Sequence, residues 1–157
     1  MDSLVIQLNE LVRHIRNVQN ECELLSERLD KQGRHILARL LIANGMLHDN
    51  SKFRGLEWEA LDEDTKDKKP EQFAAADQQH ISTNPHHPEY WDGIDSMPSV
   101  YLAEMVCDWK ARSDEFGTDL REWVKDKATK RWGFAIQSKV YREIKEFVDL
   151  LLDKKFA

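Results

Sequence analysis

The amino-acid sequence predicts a single all-α domain, and three observations support this fold class. The chain has 157 residues, which is a usual length for one domain with one core. Hydrophobic residues make up 41% of the chain and charged residues 33%, enough for an apolar core beneath a strongly ionised surface. Apolar residues recur at the spacing of an amphipathic helix. No segment shows the alternation of apolar and polar residues that is typical of a half-buried strand. We therefore expect residues 1–157 to form one helical bundle.

The first two helices are predicted to form an antiparallel hairpin. Steps of three and four residues separate a long series of apolar positions: Leu4, Leu8, Leu11, Ile15, Val18, Cys22, Leu25 and Leu29. Gly33 supplies a C-terminal stop, because glycine readily takes the left-handed conformation that ends helices. A second helix is expected over residues 34–48, and the short connection requires it to run back along the first.

The rest of the chain is expected to alternate helices with loops. Residues 62–69 are dense in charge and have no apolar period, so they are predicted to be a solvated loop. Pro70 suits the first turn of a helix, and Pro85 ends that helix at Asn84, because the residue before a proline disfavours helical angles. Residues 85–98 are predicted to be a loop. Further helices are expected over residues 53–61, 98–116, 119–130 and 136–152.

The composition disfavours several classes of protein. The longest apolar run, near residues 40–47, is far shorter than the roughly 20 residues that cross a bilayer, so no membrane partner is expected. The acidic N-terminus is unlike a signal peptide, which predicts a cytoplasmic protein. Cys22 and Cys107 have no CxxC spacing and are expected to be core thiols. The formal net charge of −6 disfavours long nucleic acid but permits a small phosphorylated ligand held by local cations.

Histidine and aspartate residues are the most informative polar residues of the chain. The candidates are the pair His48-Asp49, His80, the doublet His86-His87, and Asp108 within an apolar helix segment. Neutral imidazole and carboxylate are the ligands that divalent metals such as zinc, manganese, iron and cobalt accept. A mixed cluster therefore predicts one or two divalent ions, without distinguishing Mn, Fe, Co, Zn or Mg.

The predicted hairpin selects among the upstream histidines. His35 and His48 lie 13 residues apart on one helix, about 20 Å at 1.5 Å per residue, so they do not share a metal and His35 is expected at the surface. A turn near Gln32 places His14 beside His48. Two plainer interpretations remain open: His14 as a half-buried interface histidine, and Asp108 as the ion-pair partner of Arg112 one helical turn away.

A histidine on one helix, a His-Asp pair followed by a lysine, and a distant aspartate on a later helix resemble the HD-domain superfamily of metal-dependent phosphohydrolases. The resemblance spans residues 14–108 and implies an HD-like helical bundle. It implies that one ion is held by His14, His48, Asp49 and Asp108, with Asp49 also reaching a second ion. It implies that the second ion is served by His80, His86 and His87. Because adjacent loop residues usually diverge, one of the doublet is expected to ligate and the other to orient a ligand or meet substrate.

The chain also resembles a family of bacterial and phage proteins of unknown function. The shared motifs are HIRNVQ at 14–19, HDNSKF at 48–53, NPHHPEYW at 84–91 and EMVCDWKARS at 104–113. This resemblance covers most of the chain and favours His14 over His35 as a ligand. It supports the helical fold and the metal site more than any substrate.

The leading functional expectation is metal-dependent hydrolysis of a small phosphorylated metabolite, with a nucleotide phosphate ester among the candidates. Lys52 is placed to neutralise a phosphate oxygen, and Lys110 or Arg112 can add charge. Asp49 is expected at the reacting centre. Candidate residues for proton transfer or for orienting ligands are Glu57, Glu89 and Glu104.

Two other functions use the same residues. A diiron oxygenase on an HD-like bundle has similar His and Asp ligands, and a non-catalytic, metal-stabilised binding module would keep the fold and the metals. The first helix could also form a homodimer interface if its apolar face is wider than the area that the second helix covers.

Overall fold

The computed structural model describes residues 2–61 and 63–153, and the all-α, single-domain prediction is confirmed within them. No strand occurs in these ranges. The α-helices are α1 (Asp2–Lys31), α2 (His35–Leu47), α3 (Gly55–Glu59), α4 (Glu63–Lys68), α5 (Pro70–Thr83), α6 (Ser99–Phe116), α7 (Leu120–Trp123), α8 (Thr129–Trp132) and α9 (Lys139–Leu152).

Helices α1 and α2 form the predicted hairpin and pack closely against each other. Gly33 has a φ of +79° and ends α1 in the left-handed conformation, where glycine meets no steric penalty. At the helix crossing, Gly45 of α2 lies directly against Cys22 of α1, so that a Cβ at position 45 would come within 2.7 Å of the Cys22 Cβ. The absence of a side chain at Gly45 therefore sets how near the two helices come.

Helix α6 is the central helix and contributes many of the buried residues. Leu102, Val106 and Cys107 are fully buried in the core. The helix packs against α1, α2 and α9, and its apolar residues occupy more than one side. Cys22 and Cys107 are both buried free thiols, as expected.

The prediction of a loop over residues 62–69 was wrong for residues 63–68, which form helix α4; Asp62 lies outside the described residues. Lys66 and Lys68 lie in the last turn of this short helix, where cations interact favourably with the helix dipole. Pro70 begins α5 and Asn84 caps its C-terminus, both as predicted.

The remaining boundaries follow the sequence with small shifts. Residues 85–98 form the predicted connection, which contains short 3₁₀ helices at Pro88–Tyr90 and Ile94–Ser96. Helix α9 begins at Lys139 rather than at residue 136, because the Ser138 hydroxyl accepts a hydrogen bond from the Tyr141 N–H and caps the helix there.

The helix predicted over 119–130 extends to Trp132 and is interrupted by a π-helical segment, Val124–Ala128, between α7 and α8. Such segments often lie at functional sites. No helix in the described part of the chain has both the length and the apolar character that crossing a bilayer requires.

Candidate metal centre

The histidines and aspartates singled out by the sequence converge on one buried region. Helix α1 supplies His14, the end of α2 supplies His48 and Asp49, and α5 supplies His80. The connection after α5 brings His86 and His87, and α6 brings Asp108. Their potential ligand atoms form two main groups, His14 with His48 and Asp108, and Asp49 with His80, His86 and His87.

The first group joins the hairpin to the central helix. The rings of His14 and His48 lie with centroids 6.0 Å apart, which agrees with the predicted hairpin register. Nε2 of His14 is 3.0 Å from Oδ1 of Asp108. Arg112 pairs with Glu115 at 3.1 Å, so the structure gives Asp108 a histidine neighbour instead of the alternative Arg112 partner.

The second group is built around Oδ1 of Asp49. This oxygen is 3.4 Å from Nε2 of His80, 3.5 Å from Nε2 of His86 and 3.7 Å from Nε2 of His48. Nε2 of His87 is 2.9 Å from Nε2 of His80. Two Zn–N bonds of about 2.0–2.1 Å at right or tetrahedral angles place their nitrogens about 2.9–3.4 Å apart. The separations of 2.9 and 3.4 Å lie within this range, and those of 3.5 and 3.7 Å exceed it by 0.1 and 0.3 Å.

Four of the histidines place Nδ1 against a glutamate. Oε1 of Glu104 is 2.9 Å from Nδ1 of His48 and 3.2 Å from Nδ1 of His86. The other two pairs are His80 Nδ1 with Glu57 Oε1 at 2.6 Å, and His14 Nδ1 with Glu115 Oε1 at 3.0 Å. Metal-binding histidines commonly have a carboxylate on the ring nitrogen that does not face the metal.

The carboxylate at Glu104 decides which nitrogens are available for a metal. An ionised carboxylate only accepts hydrogen bonds, so Nδ1 of His48 and His86 carries the proton and Nε2 turns to the centre. Among the described residues, Nε2 of His48, Nε2 of His86 and Oδ1 of Asp49 are buried without a hydrogen-bond partner. Unsatisfied buried polar atoms are costly, and bound cations would satisfy these three.

The pKa shifts in the centre favour, for several side chains, the protonation state that binds metals. Burial lowers the pKa of His80 to about 3 and that of His87 to about 4, so both imidazoles are neutral at pH 7. Burial acts to raise the pKa of Asp49 and of Asp108. His48 and Lys52 outweigh this effect at Asp49, and the contact with His14 outweighs it at Asp108, so both carboxyls stay ionised. Neutral imidazole and ionised carboxylate are the forms that bind metals.

The pKa values of His48 and Glu104 are shifted by their contact with each other and by the other charged groups of the centre. Burial opposes the charged form of His48, yet the carboxylates of Asp49, Glu104 and Asp108 together raise its pKa. Burial acts to raise the pKa of Glu104, but its contacts with His48 and His86 lower it. The negative charge of the region therefore draws a positive charge to Nε2 of His48, which a metal ion can supply in place of a proton.

Asp49 has an unusual backbone at the point where α2 has ended. Its φ of 54° is the left-handed conformation, the single positive φ at a non-glycine residue in the described part of the chain. This conformation costs little for aspartate compared with bulkier residues and is frequent at functional sites. It turns the chain into a 3₁₀ helix, Asn50–Phe53, that brings Lys52 Nζ to 2.9 Å from Asp49 Oδ2.

Other predicted residues lie further from the ligand atoms. Glu89 is exposed and its carboxylate accepts a hydrogen bond from Trp132 Nε1 at 3.1 Å. Lys110 pairs with Asp114 and lies 3.8 Å from Glu21, so it is not directed to the centre. His35 is exposed and pairs with Asp30, as predicted for a surface residue.

Two features of the centre were not predicted. Sequence reasoning did not identify Glu115, because a glutamate near the exposed end of α6 carries no signal of its contact with His14, 101 positions away. The rings of His86 and His87 do not diverge, since their centroids are 4.3 Å apart. A turn closed by the His87 N–H and the Asn84 carbonyl directs both rings to the same cluster.

Two cavities open onto the centre. The α5 cavity, of about 400 Å³, is lined by residues of α1, α3, α4 and α5, and the α8 cavity, of about 460 Å³, by residues of α6, α7 and α8. Both cavities are lined by two histidines of the centre, His14 and His80, and by two cations beside it, Lys52 and Arg112. The centre is therefore reachable from two directions.

Comparison with known proteins identifies a family but not an activity. The family model described as a family of unknown function (DUF5662) matches residues 6–154, and the chain belongs to this family. No curated protein and no solved structure gives a significant match.

Proposed function

We propose that this member of DUF5662 is a metal-dependent hydrolase of a small phosphorylated metabolite, with one or two divalent ions held by the histidines and aspartates of the centre. The observation that carries the proposal is the set of histidine and glutamate pairs. Four imidazoles have Nδ1 against a carboxylate while Nε2 faces a common buried region. In metal sites, a histidine with a carboxylate on one ring nitrogen commonly binds the metal through the other.

The groups that would hold the metal follow from the two clusters. His14, His48 and Asp108 would hold one ion, and Asp49, His80, His86 and His87 would hold a second. A bound divalent ion would acidify water and stabilise charge on phosphoryl oxygens.

The remaining residues provide positioning and charge. Lys52 and Arg112 line the approach to the centre and would pair with phosphate oxygens. Glu57, Glu104 and Glu115 orient the imidazoles through Nδ1. Glu89 has no role in this proposal because its carboxylate contacts Trp132.

The test is elemental analysis of tag-free protein beside the His48→Ala variant, followed by a panel of phosphate esters. We expect metal in the parent protein, loss of at least part of it in His48→Ala, and hydrolysis of a phosphate ester after reconstitution with Mn²⁺, Co²⁺ or Zn²⁺. The His35→Ala variant is the matched control, because His35 is exposed and remote from the centre.

Two outcomes would overturn the proposal and identify the alternatives. Iron with dioxygen uptake and no phosphatase activity would indicate the oxygenase. Stoichiometric metal without turnover of any ester would indicate a metal-stabilised binding module. Absence of metal after reconstitution would contradict all three functions.

A further inference from the structure

The position of the centre between two cavities bears on the shape of the substrate. The α5 and α8 cavities have different walls and meet only at residues of the centre. Each volume falls within the range of about 300–1,000 Å³ that small-molecule pockets occupy. A reacting group at the junction can therefore have substituents in both cavities.

The α5 cavity has an apolar wall with a cation beside an aromatic ring. Leu11, Leu61 and Ala76 line it together with Phe73, whose ring lies 5.8 Å from Lys66 Nζ. An apolar or aromatic group fits such a wall, and the lysine can reach a polar substituent on it.

The α8 cavity also has a cation beside an aromatic ring, here with the larger rings of tryptophan. Trp132 stacks on Trp109 with centroids 5.3 Å apart, and the Arg131 guanidinium lies 4.6 Å from the Trp132 ring centroid. Phe116 and Trp123 contribute two further aromatic side chains to the same lining. Planar groups stack favourably on such surfaces.

Bound metal, together with two cationic side chains, would give the junction the charge to hold an anion. Lys52 and Arg112 line both cavities where they meet the imidazoles of His14 and His80. A phosphate placed at the junction would contact these cationic side chains and would have one cavity on each side.

We infer that the substrate is an open-chain phosphodiester with an aromatic or apolar group on each ester oxygen, one group in each cavity; this inference rests on the proposed hydrolase function. In the reaction, the oxygen of water bonds to phosphorus, and one ester P–O bond breaks with its electron pair on the departing oxygen. That oxygen takes a proton from water, so that the products are a phosphomonoester and an alcohol or phenol. A monoester has only one organic group and would leave one cavity without a substrate contact.

The first experiment compares bis(4-nitrophenyl) phosphate with 4-nitrophenyl phosphate on Mn²⁺-loaded protein, by release of 4-nitrophenolate. We expect kcat/KM to be at least about tenfold higher for the diester, because contacts in the second cavity are lost with the monoester. A higher kcat/KM for the monoester would overturn the inference while leaving the proposed hydrolase in place. Turnover of neither substrate by metal-loaded protein would contradict both.

The second experiment removes one ring from each cavity. Phe73 and Phe116 are 38% and 74% exposed, so truncation of either leaves the core intact. Phe73→Ala and Phe116→Ala should each raise KM for the diester by about threefold to tenfold. Ile36→Ala is the control, because Ile36 is 80% exposed and lines neither cavity. An unchanged KM in either phenylalanine variant would show that only one cavity holds substrate.

The third experiment is calorimetric and independent of turnover. Diphenylphosphinate has two rings joined to phosphorus by P–C bonds that water does not cleave, and methyl(phenyl)phosphinate has the same charge but one ring. Metal-loaded protein should bind the first more tightly, and each phenylalanine variant should reduce this preference. Equal affinity for the two compounds would overturn the inference.

Discussion

Glu104 illustrates how one side chain determines the state of two others. Its Oε1 lies against Nδ1 of both His48 and His86, and the residue is buried at the base of the centre. A carboxylate in this position fixes the tautomer and the ring orientation of both histidines. The glutamate would therefore act on a bound metal through its two histidine neighbours.

Replacement of Glu104 by glutamine should weaken metal binding more than it weakens the fold. Gln preserves the size of the side chain but removes the negative charge that makes the imidazoles more basic. Affinity for Mn²⁺ or Zn²⁺, measured by titration calorimetry, should fall by about 10- to 100-fold in Glu104→Gln.

The matched control is Glu27→Gln, which removes an exposed carboxylate of α1 that pairs with Lys31. Its metal affinity should equal that of the parent protein. Equal losses in the two variants would show that the effect comes from net charge and would refute the positioning role of Glu104.

At the scale of secondary structure, the contact between α1 and α2 is set by Gly45. The residue lies inside a helix, where glycine is unfavourable by about 1 kcal/mol relative to alanine. The close approach of Cys22 explains why no side chain is present there. Because α1 and the end of α2 hold His14 and His48, the same contact also determines how these two rings meet.

Gly45→Ala should destabilise the protein although alanine favours helices. Its Cβ would lie 2.7 Å from Cys22 Cβ and 3.0 Å from Cys22 Sγ, so the two helices must separate. Overpacking of this kind costs about 1–3 kcal/mol. The gain in helix propensity from glycine to alanine is only about 1 kcal/mol, so the overpacking cost outweighs it over most of that range. The free energy of unfolding, measured by urea denaturation, should fall by up to about 2 kcal/mol.

Ala43→Gly on the exposed side of the same helix provides the comparison. This change lacks a packing term and should destabilise by about 1 kcal/mol through propensity alone. If Gly45→Ala instead stabilised the protein by a similar amount, propensity would dominate and the close helix contact would be unimportant.

At the scale of the whole molecule, the centre joins segments that are distant in sequence. Its ligand groups come from α1, the end of α2, α5, the following connection and α6. Carboxylates buried together repel one another, and an ion that binds only the folded state stabilises it by mass action. Metal should therefore raise the stability of the entire domain.

A metal at 100 times its dissociation constant adds about 2.7 kcal/mol to the free energy of unfolding. For a chain of this length, that corresponds to an increase in Tm of about 5 to 10 °C. The increase should disappear with a chelator and be reduced or absent in His48→Ala and Asp108→Ala, as followed by calorimetry or circular dichroism.

His35→Ala should keep the full metal-dependent increase, because this ring is exposed and contacts Asp30. The reverse ranking, with the increase lost in His35→Ala and kept in His48→Ala, would exclude the observed centre as the metal site.

The sequence by itself determined most of the helices and the residue types of the centre. Helical periodicity is local, so the apolar spacing in α1, the stop at Gly33 and the start of α5 at Pro70 could be recognised without tertiary contacts. The hairpin also placed His14 beside His48, because a short turn leaves one antiparallel register. The pattern of histidine and aspartate then indicated metal-binding chemistry.

Only the tertiary structure decided how those residues are oriented and what surrounds them. The left-handed backbone at Asp49, the close approach of the His86 and His87 rings, and the contact of Glu115 with His14 all depend on how distant segments pack. The same holds for the two cavities that meet at the centre. The reason is physical: periodicity reports which face of a helix is buried, whereas a metal centre needs contacts between helices, which packing alone establishes.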